Sequence, residues 1–477
     1  MHTHLSADDL SALHQQLEPV WNSFDSHYSG LKHPRQPIQT LYGGAQLFKA
    51  ETARKLGELS LQALKTYAPN FVVLAQAAGL KGADKLPSDW LAAEALREAL
   101  EQHPEAAGMY PEAARAHKVY QRVQQKLAQE PVEDFRIDFE DGYGNRPDAE
   151  EDADAVRTAQ EVARGWREEL LPPFIGIRIK PWTRELTARS VRTLDIFVGA
   201  LLSATDKALP ANFIVTLPKV TAPEQVAGLV QLLKKLEQAH GMAAGSLQLE
   251  IMIETTQSIV DQHGKVMLPE LINAAEGRCR GAHFGTYDYT ASCGLVAYHQ
   301  SMDHAACDHA RHLMQVALSG TGVMLSDGAT NIMPVPVHRG ENLNLVQQSE
   351  NLQAVHKAWR LHADHIRHSL KHAYYQGWDL HPAQLITRYA TVYDFFLQEL
   401  DGATMRLQNF MAKAAQATLS GDVFDDAATG RGLLNYFRLA YNAGAITAAE
   451  VQAAGLQEAD LTGGERSDSS PWLKLLA

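Results

Sequence analysis

Acids and bases recur in this sequence near the ends of short apolar runs. "FRIDFED" from Phe135 carries Asp138, Glu140 and Asp141, "FIGIRIKP" from Phe174 carries Arg178 and Lys180, and "FIVTLPKV" from Phe213 carries Lys219. "LQLEIMIET" from Leu247 reaches Glu254, and "RGAHFGTYDY" from Arg280 holds Asp288. "GVMLSDGATN" from Gly322 holds Asp327 and Asn331, and "YYQGWDLHP" from Tyr374 holds His381. An ionised group at the end of a buried strand costs free energy unless it is paired or at work. Glu254 and Asp288 have the hardness and charge for Mg2+, or Mn2+ in its place; Mg2+ keeps several waters and is often held by one or two carboxylates. Its open positions would suit a substrate that chelates through two oxygens, such as a 2-oxo acid. Arg178 would contact the substrate carboxylate or stabilise charge on an oxygen. That combination is enolate chemistry, in which a metal and a guanidinium stabilise the oxygen that becomes anionic as the neighbouring C–C or C–H bond breaks.

The remaining polar residues divide between function and structure. Glu140 and Asp141 either support the site from behind or contact what it binds. Lys219, after Pro218, reads as a partner of a rim acid with reach to the substrate, and Asp327 is open between the two roles. Asp148 and Glu150 read as caps of the following helix. Of 21 histidines, His365, His368 and His372 share one helical face, and His304, His309 and His312 lie on another helix. Neither group has the glutamate of an HExxH arrangement, so both read as solvated or interface residues rather than a zinc site. His283 and His381 stand near strand ends, within reach of substrate or metal-bound water. "GDVFDDAATGRG" offers Asp425 and Asp426 as general-base candidates, against the plainer reading of a solvated loop.

Such residues converge only if the elements carrying them form one rim. The apolar runs alternate with amphipathic stretches, which signals a parallel sheet covered on both faces. Eight strand candidates, from Ile38, Phe135, Phe174, Phe213, Leu247, Arg280, Gly322 and Tyr374, predict an α/β protein of the (β/α)8 TIM-barrel class. Its functional residues would stand at the C-terminal strand ends. A doubly wound sheet is the rival, but no GxGxxG or GxxxxGK[ST] phosphate loop occurs at a strand–helix junction. Residues 1–37 read as an N-terminal helical appendage, with a capping box at Ser6 and Asp9 and with Leu10, Leu13 and Leu17 on one face. Residues 38–400 read as the barrel, with a helical insertion at about 50–130 after the first strand. Residues 401–477 read as a C-terminal helical extension containing a second capping box at Thr447 and Glu450.

Composition narrows the class. The 477 residues are 45% hydrophobic and 21% charged, ordinary for a globular enzyme. A formal charge of −13 without a basic stripe argues against nucleic-acid partners. Three cysteines, with no CxxC pair, suit a reducing compartment. "MHTHLSADDL" lacks the regions of a signal peptide, and no apolar run approaches the roughly 20 residues that span a bilayer. The expected location is cytoplasmic, with no membrane partner.

The order "DFEDGYGNRPDAEEDA", "IRIKP", "TLPKV", "IMIETTQSI", "FGTYDY" and "GWDLHPAQL", from about Asp134 to Leu385, resembles the citrate lyase beta-subunit-like family. That family belongs to the HpcH/HpaI aldolase group of the phosphoenolpyruvate/pyruvate-type barrels. The resemblance implies a Mg2+-dependent carbon–carbon lyase or aldolase, working through an enolate of a small anionic substrate, either a 2-oxo acid or a hydroxyacyl compound. It makes Glu254 and Asp288 the metal ligands and Arg178 the group that polarises the substrate oxygen. Glu140 and Asp141 become the acidic pair that orients the arginine or metal-bound waters, and the turn at Gly285 and Thr286 binds a substrate carboxylate. Some relatives take an acyl-CoA thioester, although no feature here points to CoA, and such barrels assemble as homo-oligomers, commonly trimers or hexamers. Lys180 stands where the family often has asparagine, and the "DGYGNRP" loop is richer in glycine. A malate synthase-like condensing enzyme, a thioesterase and a non-catalytic binding protein are the alternatives. An intact Arg178, Glu254 and Asp288 counts against the last.

Overall fold

The computed structural model describes residues 4–30, 35–420 and 427–461. Its centre is a closed barrel of eight parallel strands in sequence order. These are β1 (Gln39–Gly44), β2 (Asp134–Asp138), β3 (Phe174–Arg178), β4 (Phe213–Leu217), β5 (Gln248–Ile253), β6 (Cys279–Phe284), β7 (Met324–Ala329) and β8 (Gln376–Asp379). Each begins within two residues of the run that predicts it, so the expected (β/α)8 class is the observed one. Between β1 and β2 lie four longer helices, Thr52–Tyr67, Phe71–Ala78, Trp90–Gln102 and Pro111–Gln129. After β8 come Pro382–Leu397, Leu400–Ser420, Ala427–Asn442 and two short helices. Among the described residues, no helix is long and apolar enough to cross a membrane.

Local chemistry sets the helix ends. The Asn70 side chain accepts from the Val73 N–H to open Phe71–Ala78, which closes at Gly79 in the left-handed region (φ 64°). Both expected capping boxes form, Ser6 with Asp9 and Thr447 with Glu450. Asp148 and Glu150 do not cap their helix: Pro147 holds the cap position, with no side-chain bond. They sit in the first turn, where carboxylates favour the positive end of the helix dipole.

Side chains alternate across each strand. One set, including Ile137, Ile177, Val215 and Ile251, packs outward in the buried apolar layer shared with Val162, Phe197, Leu229 and Leu233 of the helices. The other set fills the barrel, and it is polar. Arg136 donates from Nε and Nη2 to the two oxygens of Glu250 (2.7 and 2.8 Å) and from Nη1 to Asp134. Thr216 also donates to Glu250 (2.5 Å), and Thr40 donates to Asp134 (2.8 Å). His283 Nε2 lies 3.2 Å from Glu250, and its Nδ1 is 3.0 Å from the Tyr42 hydroxyl. His283 therefore belongs to the barrel interior and not to the rim where the sequence placed it. An aliphatic filling is the usual one for this fold; here buried ions are paired instead.

A second buried cluster joins the end of β8 to the helices Leu345–Lys371 and Pro382–Leu397. Asp379 accepts from Arg388 Nη2 (2.8 Å), and the His362 ring Nε2 lies 3.0 Å away. Burial alone would raise the Asp379 carboxyl, but Arg388 and His362 outweigh it and bring it down to about 2. A carboxyl held below its unfolded value stabilises the fold above that value, near 3.8, and loses the contribution as pH falls towards 2. Asp379→Asn should therefore cost about 2 kcal/mol near neutral pH. Its thermal midpoint should also fall less steeply than wild type between about pH 4 and 2. Parallel midpoint–pH curves for the two proteins would contradict this.

Candidate active site

The rim at the C-terminal strand ends is organised around Arg178, the last residue of β3. It faces Asp138, the last residue of β2, in the parallel register. Arg178 donates from Nε to Asp138 Oδ1 (2.7 Å) and from Nη2 to Oδ2 (2.5 Å), and its Nη1 lies 3.0 Å from Glu140 Oε2. Two backbone donors complete Asp138: the N–H groups of Glu140 (3.0 Å) and Gly142 (2.7 Å). The guanidinium also lies over the rings of Tyr42 (4.6 Å) and Trp378 (5.4 Å), a cation–π arrangement. Burial opposes its charge, and Asp138 and Glu140 restore it, leaving Arg178 firmly protonated. A planar fork fixed on two carboxylates and two rings presents its charge in one orientation.

Lys219 ties the acids together. Its backbone is left-handed (φ 51°), an uncommon conformation for a side-chain-bearing residue, which aims its N–H at Glu254 Oε1 (2.7 Å). Its ammonium contacts Glu140, sits 3.3 Å from Asp141 and lies 3.5 Å from Asp288. Burial works against this charge, but Glu140, Glu254 and Asp141 outweigh it and raise the pKa, so Lys219 acts as a cation and not as a nucleophile.

Glu254 follows β5 and is buried, whereas Asp288, in the first turn of the helix Thr286–Ser292, is 44% exposed at its side chain. Burial, with repulsion from Glu140 and Asp288, raises Glu254 to about 8 despite Arg178 and Lys219. Five carboxylates (Asp138, Glu140, Asp141, Glu254 and Asp288) thus share the rim with two cations, Arg178 and Lys219. These carboxylates are hard oxygen donors of the type Mg2+ takes, but among the described residues no three of them bring ligand atoms within 4.8 Å of one another. Gly285 leaves room for Glu254, because a Cβ there would lie 2.6 Å from the Glu254 Cβ, an atom that cannot swing aside.

The structure thus brings together Arg178, Glu140, Asp141, Lys219, Glu254 and Asp288. It gives other expected residues different work. The Gly285 N–H is committed to the Ile253 carbonyl (3.0 Å) and is not free for a substrate carboxylate. The Thr286 hydroxyl beside it is buried with no partner. His381 caps Pro382–Leu397, its Nδ1 accepting from the Ala383 N–H (3.1 Å), and burial lowers its pKa, consistent with a neutral ring. That capping bond takes the place of the expected substrate contact at Nδ1. Lys180 turns away from the rim to the Phe139 carbonyl (2.6 Å) and Glu151. Asp327 is buried between Arg311 (2.7 Å) and Ser369 (2.5 Å), a structural position. Asp425 and Asp426 lie outside the described residues.

Tyr42 and Trp378 are the site residues that the sequence reading misses, and Asp138, one of its strand-end acids, gains a role only in the structure. Asp138 had a signal: it directly faces Arg178 once the strands are aligned. The two rings had none, since they come from β1 and β8, far away in sequence. Outside the barrel, Asp308, His368 and His372 are, among the described residues, the one set of three ligand-type side chains with donor atoms within 4.8 Å of one another. His368 already bonds Asp308 (2.7 Å), as does Arg311 (2.5 Å).

Comparison with known proteins gives a family match without an activity. A family described as a domain of unknown function (DUF6986) has a model that matches residues 17–468. No curated protein matches the sequence. Among solved structures, a citrate lyase from Burkholderia xenovorans LB400 is similar, with 17% identity and a TM-score of 0.45 over 70% of this chain and 91% of that one. A Haloferax volcanii malate synthase in complex with magnesium and glyoxylate has 14% identity and a TM-score of 0.41, over 88% of this chain and 97% of that one.

Proposed function

The chain belongs to the DUF6986 family, and we propose that it is an enzyme making or breaking a carbon–carbon bond next to a carbonyl, through an enolate held at Arg178. The supporting observation is the guanidinium itself: it is buried, held by Asp138 with Glu140 beside it, backed by Tyr42 and Trp378, and placed at the same rim as Glu254 and Asp288. Preorganised charge aimed at a developing oxyanion stabilises it without reorganisation at the moment of reaction.

Glu254 and Asp288 would hold Mg2+ or Mn2+, with Glu140 and Asp141 orienting coordinated waters. The metal would supply Lewis-acid stabilisation of the same substrate oxygen. Lys219 keeps Glu140 and Glu254 in place and balances charge when the site is empty of cation. The substrate is a small anion, a 2-oxo acid or a hydroxyacyl compound, with a CoA thioester as one form of the latter. Cleavage and condensation share this enolate, so a lyase of the citrate lyase beta-like type and a malate synthase-like enzyme are two directions of one reading.

The test is proton NMR of pyruvate in D2O with the full-length protein. Loss of the methyl signal that requires Mg2+ and is absent in Glu254→Gln is the expected result. Exchange that proceeds equally in Glu254→Gln would remove that residue from the metal site. No exchange with pyruvate, oxaloacetate or a hydroxyacyl-CoA would overturn the enolate reading.

A further inference from the structure

The helix Ala7–His27 has none of its 21 residues buried by the rest of the chain. Leu10, Leu13, Val20, Trp21 and Phe24 are exposed, with Val20 at 60%. Leu10, Leu13, Leu17, Val20, Phe24 and His27 recur at alternating intervals of three and four, the a/d pattern of a coiled-coil seam. Pro19 lies inside this helix and cannot donate to the Gln15 carbonyl. Pro19 interrupts the ladder after the 12 residues Ala7–Glu18, and an isolated helical stretch of that length is marginal in water. Packing must therefore hold it. Its described attachment to the barrel is at one end, where Gly30 donates to the Gly320 carbonyl (2.8 Å) and the Tyr28 ring approaches Gly320.

We propose that a second copy of this chain covers the face, the two Ala7–His27 helices pairing as a two-stranded coiled coil. Identical helices can meet across a two-fold axis through the same surface, the simplest closed arrangement. Charge does not oppose it: with Leu10 at an a position, Asp8, Glu18 and Asp25 fall at the outer f and b positions, and only Asp9 flanks the seam. Burying six seam side chains together with Trp21 would cover on the order of 700 Å2 per copy, close to the roughly 800 Å2 of a standard interface. A helix of 21 residues spans about 30 Å, long enough for that contact. This pairing stands independently of the reaction proposed above.

The experiment is the solution mass of the full-length protein by light scattering. Wild type is expected at twice the chain mass or an even multiple of it. Leu13→Asp with Val20→Asp should halve that mass, and Gln15→Glu, at an outer f position, should leave it unchanged. Circular dichroism and a thermal melt check that the double variant keeps its barrel, to which the helix contributes no buried residue. A monomeric or odd-numbered wild type, or a double variant of undiminished mass, would overturn the pairing.

Discussion

Arg178→Lys should lower the Mg2+-dependent exchange of pyruvate methyl protons, or turnover of whichever substrate is found, by about 10^2- to 10^3-fold. The substitution preserves the charge and removes the geometry. Arginine donates from two nitrogens to Asp138, pairs a third with Glu140 at 3.0 Å, and stands over the rings of Tyr42 and Trp378. A lysine ammonium is a compact point charge and cannot chelate Asp138 while keeping the position over the rings. Asp138 would retain its two backbone donors, from Glu140 and Gly142, so the loop after β2 should keep its shape. The loss should appear mainly in the rate at saturating substrate, because the interaction is strongest with the charge that develops during reaction. A variant with the wild-type rate and a reduced melting temperature would make Arg178 a structural ion-pair member, with its surroundings explained by the cost of burying it.

The barrel was legible because parallel strands, covered by helices outside, leave short runs of Ile, Val, Leu and Phe that few other elements produce. "FIGIRI" and "EIMIE" can hardly be anything else between amphipathic stretches. The convergence of Arg178, Glu254 and Asp288 was readable for a related reason: in a closed parallel barrel every strand end reaches the same rim. Less legible was which partner each charge takes. His381 looks like a substrate contact from its place after β8, yet the helix that follows needs a cap, and the nearest side chain able to accept the Ala383 N–H is this imidazole. Lys180 and Arg178 are two residues apart and would share a face of an ideal strand, but β3 ends at Arg178, and Lys180 is drawn to the Phe139 carbonyl and Glu151 instead. The polar barrel filling was visible as alternation, with Arg136 between Phe135 and Ile137 and Glu250 between Leu249 and Ile251. Reading these runs as simply apolar concealed it.

That filling leads to the largest effect expected on stability. Glu250→Ala should cost about 3–5 kcal/mol in urea unfolding, the usual range when one member of a buried ion pair is removed. Glu250 takes both donors of the Arg136 fork, the Thr216 hydroxyl and a contact from His283. Burial alone would raise its carboxyl, but Arg136 and His283 hold it well below the usual range, which shows how strongly the surroundings favour its charge. Alanine would leave Arg136 shared with Asp134 alone, in a space reached by little water. A loss below about 1 kcal/mol would mean that water enters and solvates the guanidinium. The pair Arg136→Met with Glu250→Leu separates the value of the pair from the penalty of breaking it. Apolar substitutes of similar volume are often neutral or stabilising in place of buried ions, and Asp134, whose carboxyl burial already raises, keeps its bond from Thr40. If the double variant recovers most of the loss, the ions are not needed to hold the barrel closed. Their place beneath Tyr42, whose ring carries Arg178, would then make them the floor that sets the height and tilt of the guanidinium. Catalysis in that variant should fall even where stability does not, which a purely structural network would not produce.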